Sequence, residues 1–124
     1  MAVTYTTAVK NARLDAVTTQ IGTTGVLEIG TTGMATVLAT IALGNPAASA
    51  ASGGVLTFAG FPRSDTAADA TGTAAAARIR TASGGTDVVT GLTVGTSGAD
   101  INLDSTSITT GQTVTINSMT ITHA

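Results

Sequence analysis

The chain has 124 residues, enough for one domain (expected to span 1–124) that buries about 65–70% of the surface exposed by its unfolded form. Five basic and seven acidic residues give a net charge of −2, which argues against a nucleic-acid partner, and the lack of cysteine excludes disulfides and thiolate chemistry. The hydrophobic fraction of 43% is inflated by alanine, and the aromatic residues are Tyr5, Phe58 and Phe61. An alanine methyl contributes far less than the ~1.5–3 kcal/mol of a buried Val, Leu or Ile, so the expected core is thin.

The opening "MAVTYTTAVK" lacks a charged region followed by an apolar one. No signal peptide is therefore expected, and synthesis in a host cytoplasm is. Residues 7–21, "TAVKNARLDAVTTQI", predict a helix, because Leu14, Val17 and Ile21 recur at spacings of three and four. Thr6 or Thr7 suits its N-cap, and Gly22 suits the left-handed position that ends it.

After Gly22 short runs of Val, Ile, Leu and Thr alternate with breakers: "TTG" three times, "ASGG" twice and "GTSG" once. Short strands with regular turn signals predict a mainly β fold, an antiparallel β-sandwich of jelly-roll-like kind with one N-terminal helix. In "TVLATIAL" Val37, Ala39, Ile41 and Leu43 share one face, opposite Thr36, Leu38, Thr40 and Ala42. No charge occurs between Glu28 and Arg63, but Gly44-Asn45-Pro46 and Gly53-Gly54 interrupt that stretch. A membrane span of about 20 apolar residues is therefore not expected.

The segment "GTAAAARIRTASGG" favours a helix by alanine propensity alone. The period-two pattern around it predicts a strand over 73–81, with Ala75, Ala77 and Ile79 on one face and Ala76, Arg78 and Arg80 on the other. A short helix over the same residues is the alternative. In "QTVTINSMTITH" Val114 and Ile116 fall on one parity, Met119 and Ile121 on the other. Such a slip within Asn117-Ser118 predicts a β-bulge.

"GADINLDSTSITTG" places Asp100, Asn102 and Asp104 in the frame that opens a calcium loop. An EF-hand loop needs Gly at its sixth position and Glu at its twelfth, and Ser105 and Gly111 stand there. A strand explains the frame better, with the three polar residues outward and Ile101 and Leu103 inward. At most a weak surface calcium site is expected from Asp100, Asn102 and Asp104.

Catalytic constellations fare no better. The single histidine, His123, is penultimate, and a Ser-His-Asp triad needs a fixed imidazole. A carboxylate pair drawn from Asp65, Asp69, Asp87, Asp100 and Asp104 would want aromatic platforms for a sugar, and aromatics are scarce. Asp65, Asp69 and Asp87 instead suit turns, where aspartate bonds local backbone N–H groups. "GTSG" and "ASGG" lack the setting of phosphate loops.

Three stretches resemble a family of small virion proteins of tailed bacteriophages: "VKNARLDAVTTQIGTTGVLEI", "ADATGTAAAARI" and "GTSGADINLDSTSITTGQTVTINSMTITHA". The resemblance implies a non-enzymatic virion structural protein, first of all a head decoration or cement protein that bridges major capsid subunits. It implies no catalytic residues and no cofactor. The implied partners are the major capsid protein and further copies of this chain, as homodimer or homotrimer, without nucleic acid or membrane. The implied location is the surface of the virion head. A tail or fibre component (a receptor-binding or adaptor module) is the alternative, and a small hydrolase the second.

Overall fold

The computed structural model describes residues 4–44, 47–60, 63–82 and 84–122. Helix α1 covers Thr7–Ile21, the range expected from its apolar spacing. Thr6 is extended at the N-cap, and its Oγ1 accepts a hydrogen bond from Val9 N at 3.4 Å. At the other end Gly22 has φ 72°, where a side chain is strained, and its N–H donates to the Thr18 carbonyl at 3.3 Å. Only Leu14 and Ile21 of the helix are buried, with Val17 half-buried beside them. Polar side chains supply the rest of the docking. Asn11 Oδ1 accepts from Gly54 N at 2.9 Å, and Asp15 Oδ1 from Ala51 N at 2.8 Å.

The strands are β1 (Val26–Gly30), β2 (Val37–Ala42), β3 (Val55–Thr57), β4 (Arg63–Asp65), β5 (Gly72–Thr73), β6 (Ala76–Arg80), β7 (Asp87–Gly95), β8 (Ile101–Leu103), β9 (Ser107–Ile108) and β10 (Val114–Thr122). Strand accounts for 43% and helix for 16%, so the fold is mainly β with one helix. One sheet runs in the order β2-β1-β6-β7-β8-β10-β3, with β4 also on β10, and β5 and β9 form a separate ribbon. Ile116 pairs with Arg63 and with Leu103, so β4 and β8 lie on opposite edges of β10.

The ladders are antiparallel with one exception. Val94↔Ile101 and Gly95↔Asn102 pair β7 with β8 in parallel, which corrects the purely antiparallel expectation. Parallel neighbours usually need a crossover of a dozen residues. Here the ladder is two pairs long, and side-chain hydrogen bonds hold its tight connection. Asp100 Oδ2 accepts from Thr93 N (3.0 Å) and Thr93 Oγ1 (3.1 Å), while Asn102 Oδ1 accepts from Ala99 N at 3.2 Å. Gly98, at φ 69°, turns the chain between them.

The sheet is nearly closed into a barrel. Its seam lies between the outer edge of β2 and the segment that begins at β4. Thr40 N donates to Asp65 Oδ2 at 3.0 Å, and Asp69 N donates to the Leu38 carbonyl at 2.7 Å. Thr40 Oγ1 donates to Asp69 Oδ2 at 2.9 Å. A carboxylate thus takes a backbone donor that a neighbouring strand would otherwise have paired, in a charge-assisted hydrogen bond.

Inside, the registers stack Ile41, Leu27 and Ile79 in one row and Ala39, Ile29, Ala77 and Leu92 in the next. Ala39, Leu27, Ile29, Ala77 and Ile79 are completely buried. Leu38 lies on the opposite face of β2 and is buried as well, because β5 covers it. A Cβ on Gly72 would sit 3.0 Å from Leu38 Cδ2. The strand expected over 73–81 is shorter: β6 covers Ala76–Arg80, where burial alternates as expected, and Thr73 belongs to β5 in the separate ribbon. Ala75 is a correction: it precedes the strand and is exposed, and its N–H donates to the Gly30 carbonyl at 3.0 Å. Ala74 is buried in its place. The register of β10 against β8 shifts between Ile116 and Ser118, the bulge expected from the change of parity.

Two stability tests follow from these contacts. Ala77→Leu is expected to cost about 1–3 kcal/mol by overpacking, and Ala76→Thr on the outer face much less, measured by urea denaturation. Equal losses would contradict the close packing of the inner row. Asp65→Ala is expected to cost about 1.5–3 kcal/mol, the range for hydrogen bonds to charged groups. Asp65→Asn should lose less, since its amide oxygen still accepts from Thr40 N. An alanine variant as stable as the parent would mean that the seam holds without this side chain.

Candidate functional site

The acidic residues singled out from sequence are distributed over the surface and engaged with the chain itself. Asp100 and Asn102 clamp the β7–β8 connection, and Asn102 Nδ2 also donates to the Ala99 carbonyl at 3.2 Å. Asp104 Oδ1 accepts from Asn117 Nδ2 at 2.7 Å. Ile101 and Leu103 between them are buried and Asn102 lies on the outer side of β8, while Asp100 and Asp104 flank the strand instead of belonging to it. Among the described residues no three His, Cys, Asp or Glu side chains group to hold a metal ion.

Asp65 and Asp69 come together at Thr40, where one bonds its N–H and the other its hydroxyl. Asp87 lies elsewhere, with its Oδ1 3.0 Å from Arg80 Nε, an ion pair without the alignment of a hydrogen bond. His123 lies outside the described residues.

Sequence reasoning missed Glu28. It is 6% exposed, the one buried charged residue among those described. Its register neighbours are Arg78 on β6 and Thr40 on β2. Arg78 Nε lies 2.7 Å from Glu28 Oε1 and Arg80 Nη1 3.7 Å from it. The two arginines cover the carboxylate, and Asp87 extends the network through Arg80 on the outer face of β1, β6 and β7. Removing the arginines would leave the buried Glu28 carboxylate without compensation, which is the costly way to break such a pair.

What remains outward is a short ridge at the start of α1. Tyr5 is 43% and Val9 42% exposed, the large apolar side chains left in solvent among the described residues. The Arg13 guanidinium carbon lies 4.6 Å from the Tyr5 ring centroid. A cation over an aromatic face contributes about 0.5–1 kcal/mol at an exposed site and holds both side chains in place. Tyr and Arg are also the residue types that dominate binding energy at protein interfaces. The sequence offered one signal for this ridge: Tyr5 and Val9 fall outside the Leu14–Val17–Ile21 stripe, yet Tyr5 is one of three aromatics.

A second surface feature is a cleft of about 370 Å³ between the C-terminal half of α1 and residues 48–50. Asp15, Thr18 and Thr19 form one wall, with Ala48 and Ser49 opposite. No helix among the described residues is long and apolar enough to cross a membrane.

No protein-family model, curated protein or solved structure matches the chain. Fold and surface together define a small, mainly β domain with a nearly closed sheet, carrying one helix whose N-terminal ridge faces outward.

Asp100 and Asn102 bond backbone groups of their own connection, and Asp104 bonds the Asn117 side-chain amide. Thermal melting with and without a chelator is expected to give the same midpoint. A chelator-induced drop of several degrees would show a bound ion, because a ligand of the native state raises its melting temperature.

Proposed function

We propose that this chain is a non-enzymatic structural protein of a tailed-phage virion, a decoration or cement protein that stabilises the head by bridging major capsid subunits. The observation that carries this reading is the Tyr5–Val9–Arg13 ridge. It presents interface-type side chains on a scaffold whose acids and arginines are largely occupied in holding the fold. The resemblance of three stretches of sequence to small virion proteins supports it.

In this reading the barrel-like sheet is a distorted jelly-roll-like sandwich. β2, β1, β6 and β7 form one layer and β8, β10, β3 and β4 the other, with the β10 bulge at the bend. The ridge docks on the major capsid protein, and copies of the chain associate as dimers or trimers on matching axes of the shell, as closed oligomers do. Individual contacts are weak, and linked sites raise their combined strength through effective concentration. Attachment is mainly apolar, so it survives moderate salt, where exposed ion pairs are screened.

Quantitative composition of purified particles, with a reconstruction, tests the proposal. Hundreds of copies spread over the head are expected. A few copies confined to the tail tip would replace it by the tail or fibre reading. Combining Tyr5→Ala with Val9→Ser should lower occupancy on the head at least tenfold, equivalent to about 1.4 kcal/mol per site. Undiminished occupancy would remove the ridge from the interface.

A further inference from the structure

We propose that the Tyr5–Val9–Arg13 ridge receives a protein carboxylate set beside an apolar side chain, so that the capsid surface it meets is acidic there. The inference rests on the virion reading and adds the chemistry of the partner surface. It starts from a coincidence of place. Tyr5 and Val9, the large apolar side chains left in solvent among the described residues, stand beside the unmatched positive charge of the chain. Among the described residues neither Lys10 nor Arg13 forms an ion pair or a side-chain hydrogen bond. The other basic residues are engaged. Arg78 and Arg80 pair with Glu28 and Asp87, and Arg63 Nε donates to the Ala59 carbonyl at 3.3 Å.

The chain does not supply the missing anion. No acidic residue precedes Asp15, so the side chains of residues 4–14 carry positive charge alone. Asp15 is two positions from Arg13, a spacing that does not bring side chains together on a helix, and its Oδ1 accepts from Ala51 N. Beyond Leu14 three arginines stand against seven acids. Two positive charges on a chain otherwise acidic cannot hold a polyphosphate backbone, so the anion that fits is a side-chain carboxylate of a protein.

The geometry suits that group. The Arg13 guanidinium lies over the Tyr5 ring, 4.6 Å from its centroid, and Arg13 is exposed. Its planar fork of N–H donors matches a carboxylate in a two-bond pair, and the ring contact orients it before a partner arrives. Lys10 lies one helical turn before Arg13, with its stem along Gly54, where an added Cβ would sit 3.6 Å from Lys10 Cδ. Like charges at that spacing repel, and a carboxylate between them removes the repulsion. Val9 and the Tyr5 ring cover the apolar neighbour. One such pair fixes orientation and leaves the attachment mainly apolar.

The test incubates the full chain with heads assembled without it, then adds a carbodiimide, which joins amines to carboxylates in direct contact. Lys10 is the single lysine of the sequence. A cross-link from its Nζ to an Asp or Glu of the major capsid protein, mapped by mass spectrometry, is expected. Lys10→Arg should remove the cross-link and change attachment by no more than about twofold, because the charge is kept. Arg13→Gln should weaken attachment at least about tenfold, the effect of losing a hydrogen bond to a charged group. Arg13→Lys should weaken it less, since the charge stays and only the fork is lost. Arg13→Gln combined with Ser97→Lys, which restores the net charge elsewhere, should remain as weak as Arg13→Gln alone. The inference alone is overturned if heads take up the parent and Arg13→Gln equally, or if Ser97→Lys restores attachment. It is also overturned if Lys10 links to no capsid carboxylate, whether left unlinked or joined to another copy of this chain. Heads that take up none of the parent chain would remove the virion reading and this inference with it.

Discussion

The outer edge of β2 meets the segment that begins at β4 through two carboxylates and a backbone hydrogen bond instead of a continuous ladder, and this junction turns an open sheet into a nearly closed one. An open edge would present Thr40 N and the Leu38 carbonyl to solvent or to another chain. Asp65 and the Asp69 amide take those two groups from within the same molecule. The inner rows of Leu27, Ile29, Ile41 and Ile79 can then be dry on all sides. The thin core depends on this closure, since alanines at 39 and 77 bury little area by themselves.

The same use of short polar side chains recurs elsewhere. Asp100 and Asn102 hold the parallel crossing, Asn11 and Asp15 hold the helix to the 51–54 loop, and Thr24 Oγ1 donates to the Thr81 carbonyl at 2.9 Å. A chain with 10% charged residues thereby satisfies backbone groups that its short strands leave over. The sequence places Asp65, Asp69 and Asp87 in turns, but Asp65 ends β4 and Asp87 begins β7, and the bonds of Asp65, Asp69, Asp15 and Asn11 join segments distant in the chain.

How much could be read in advance depended on how local each cause was. The bounds of α1 follow from Thr6, Gly22 and an apolar stripe, all within one segment. The bulge in β10 follows from a change of parity between Ile116 and Met119, again within one segment. The strand at Ala76–Arg80 needed the surrounding period to outweigh alanine propensity, and tertiary pairing on both edges supplies that. The parallel pairing of β7 with β8 leaves no local signal, because the bonds that Asp100 and Asn102 accept to hold its connection come from residues that also fit an outward-facing strand. Ala75 departs from the parity of the segment because the strand begins only at Ala76. The Glu28 network joins residues 50 positions apart, and the cleft joins a helix to a loop some 30 positions later, so neither leaves a local pattern.

The attachment of α1 gives the molecule two levels of cooperativity. The helix buries only Leu14 and Ile21 fully, against β3, β7 and the 51–54 loop, whereas each inner strand is locked by ladders on both sides. Regions with few buried contacts open at lower free energy than the core, as separate units. The helix can therefore undock while the barrel stays intact, and its amides would exchange with solvent ahead of those in β1 and β6. Both the Tyr5–Val9–Arg13 ridge and one wall of the cleft travel with it. A substitution that loosens the seat of α1 therefore disturbs both surfaces together and leaves the barrel unchanged.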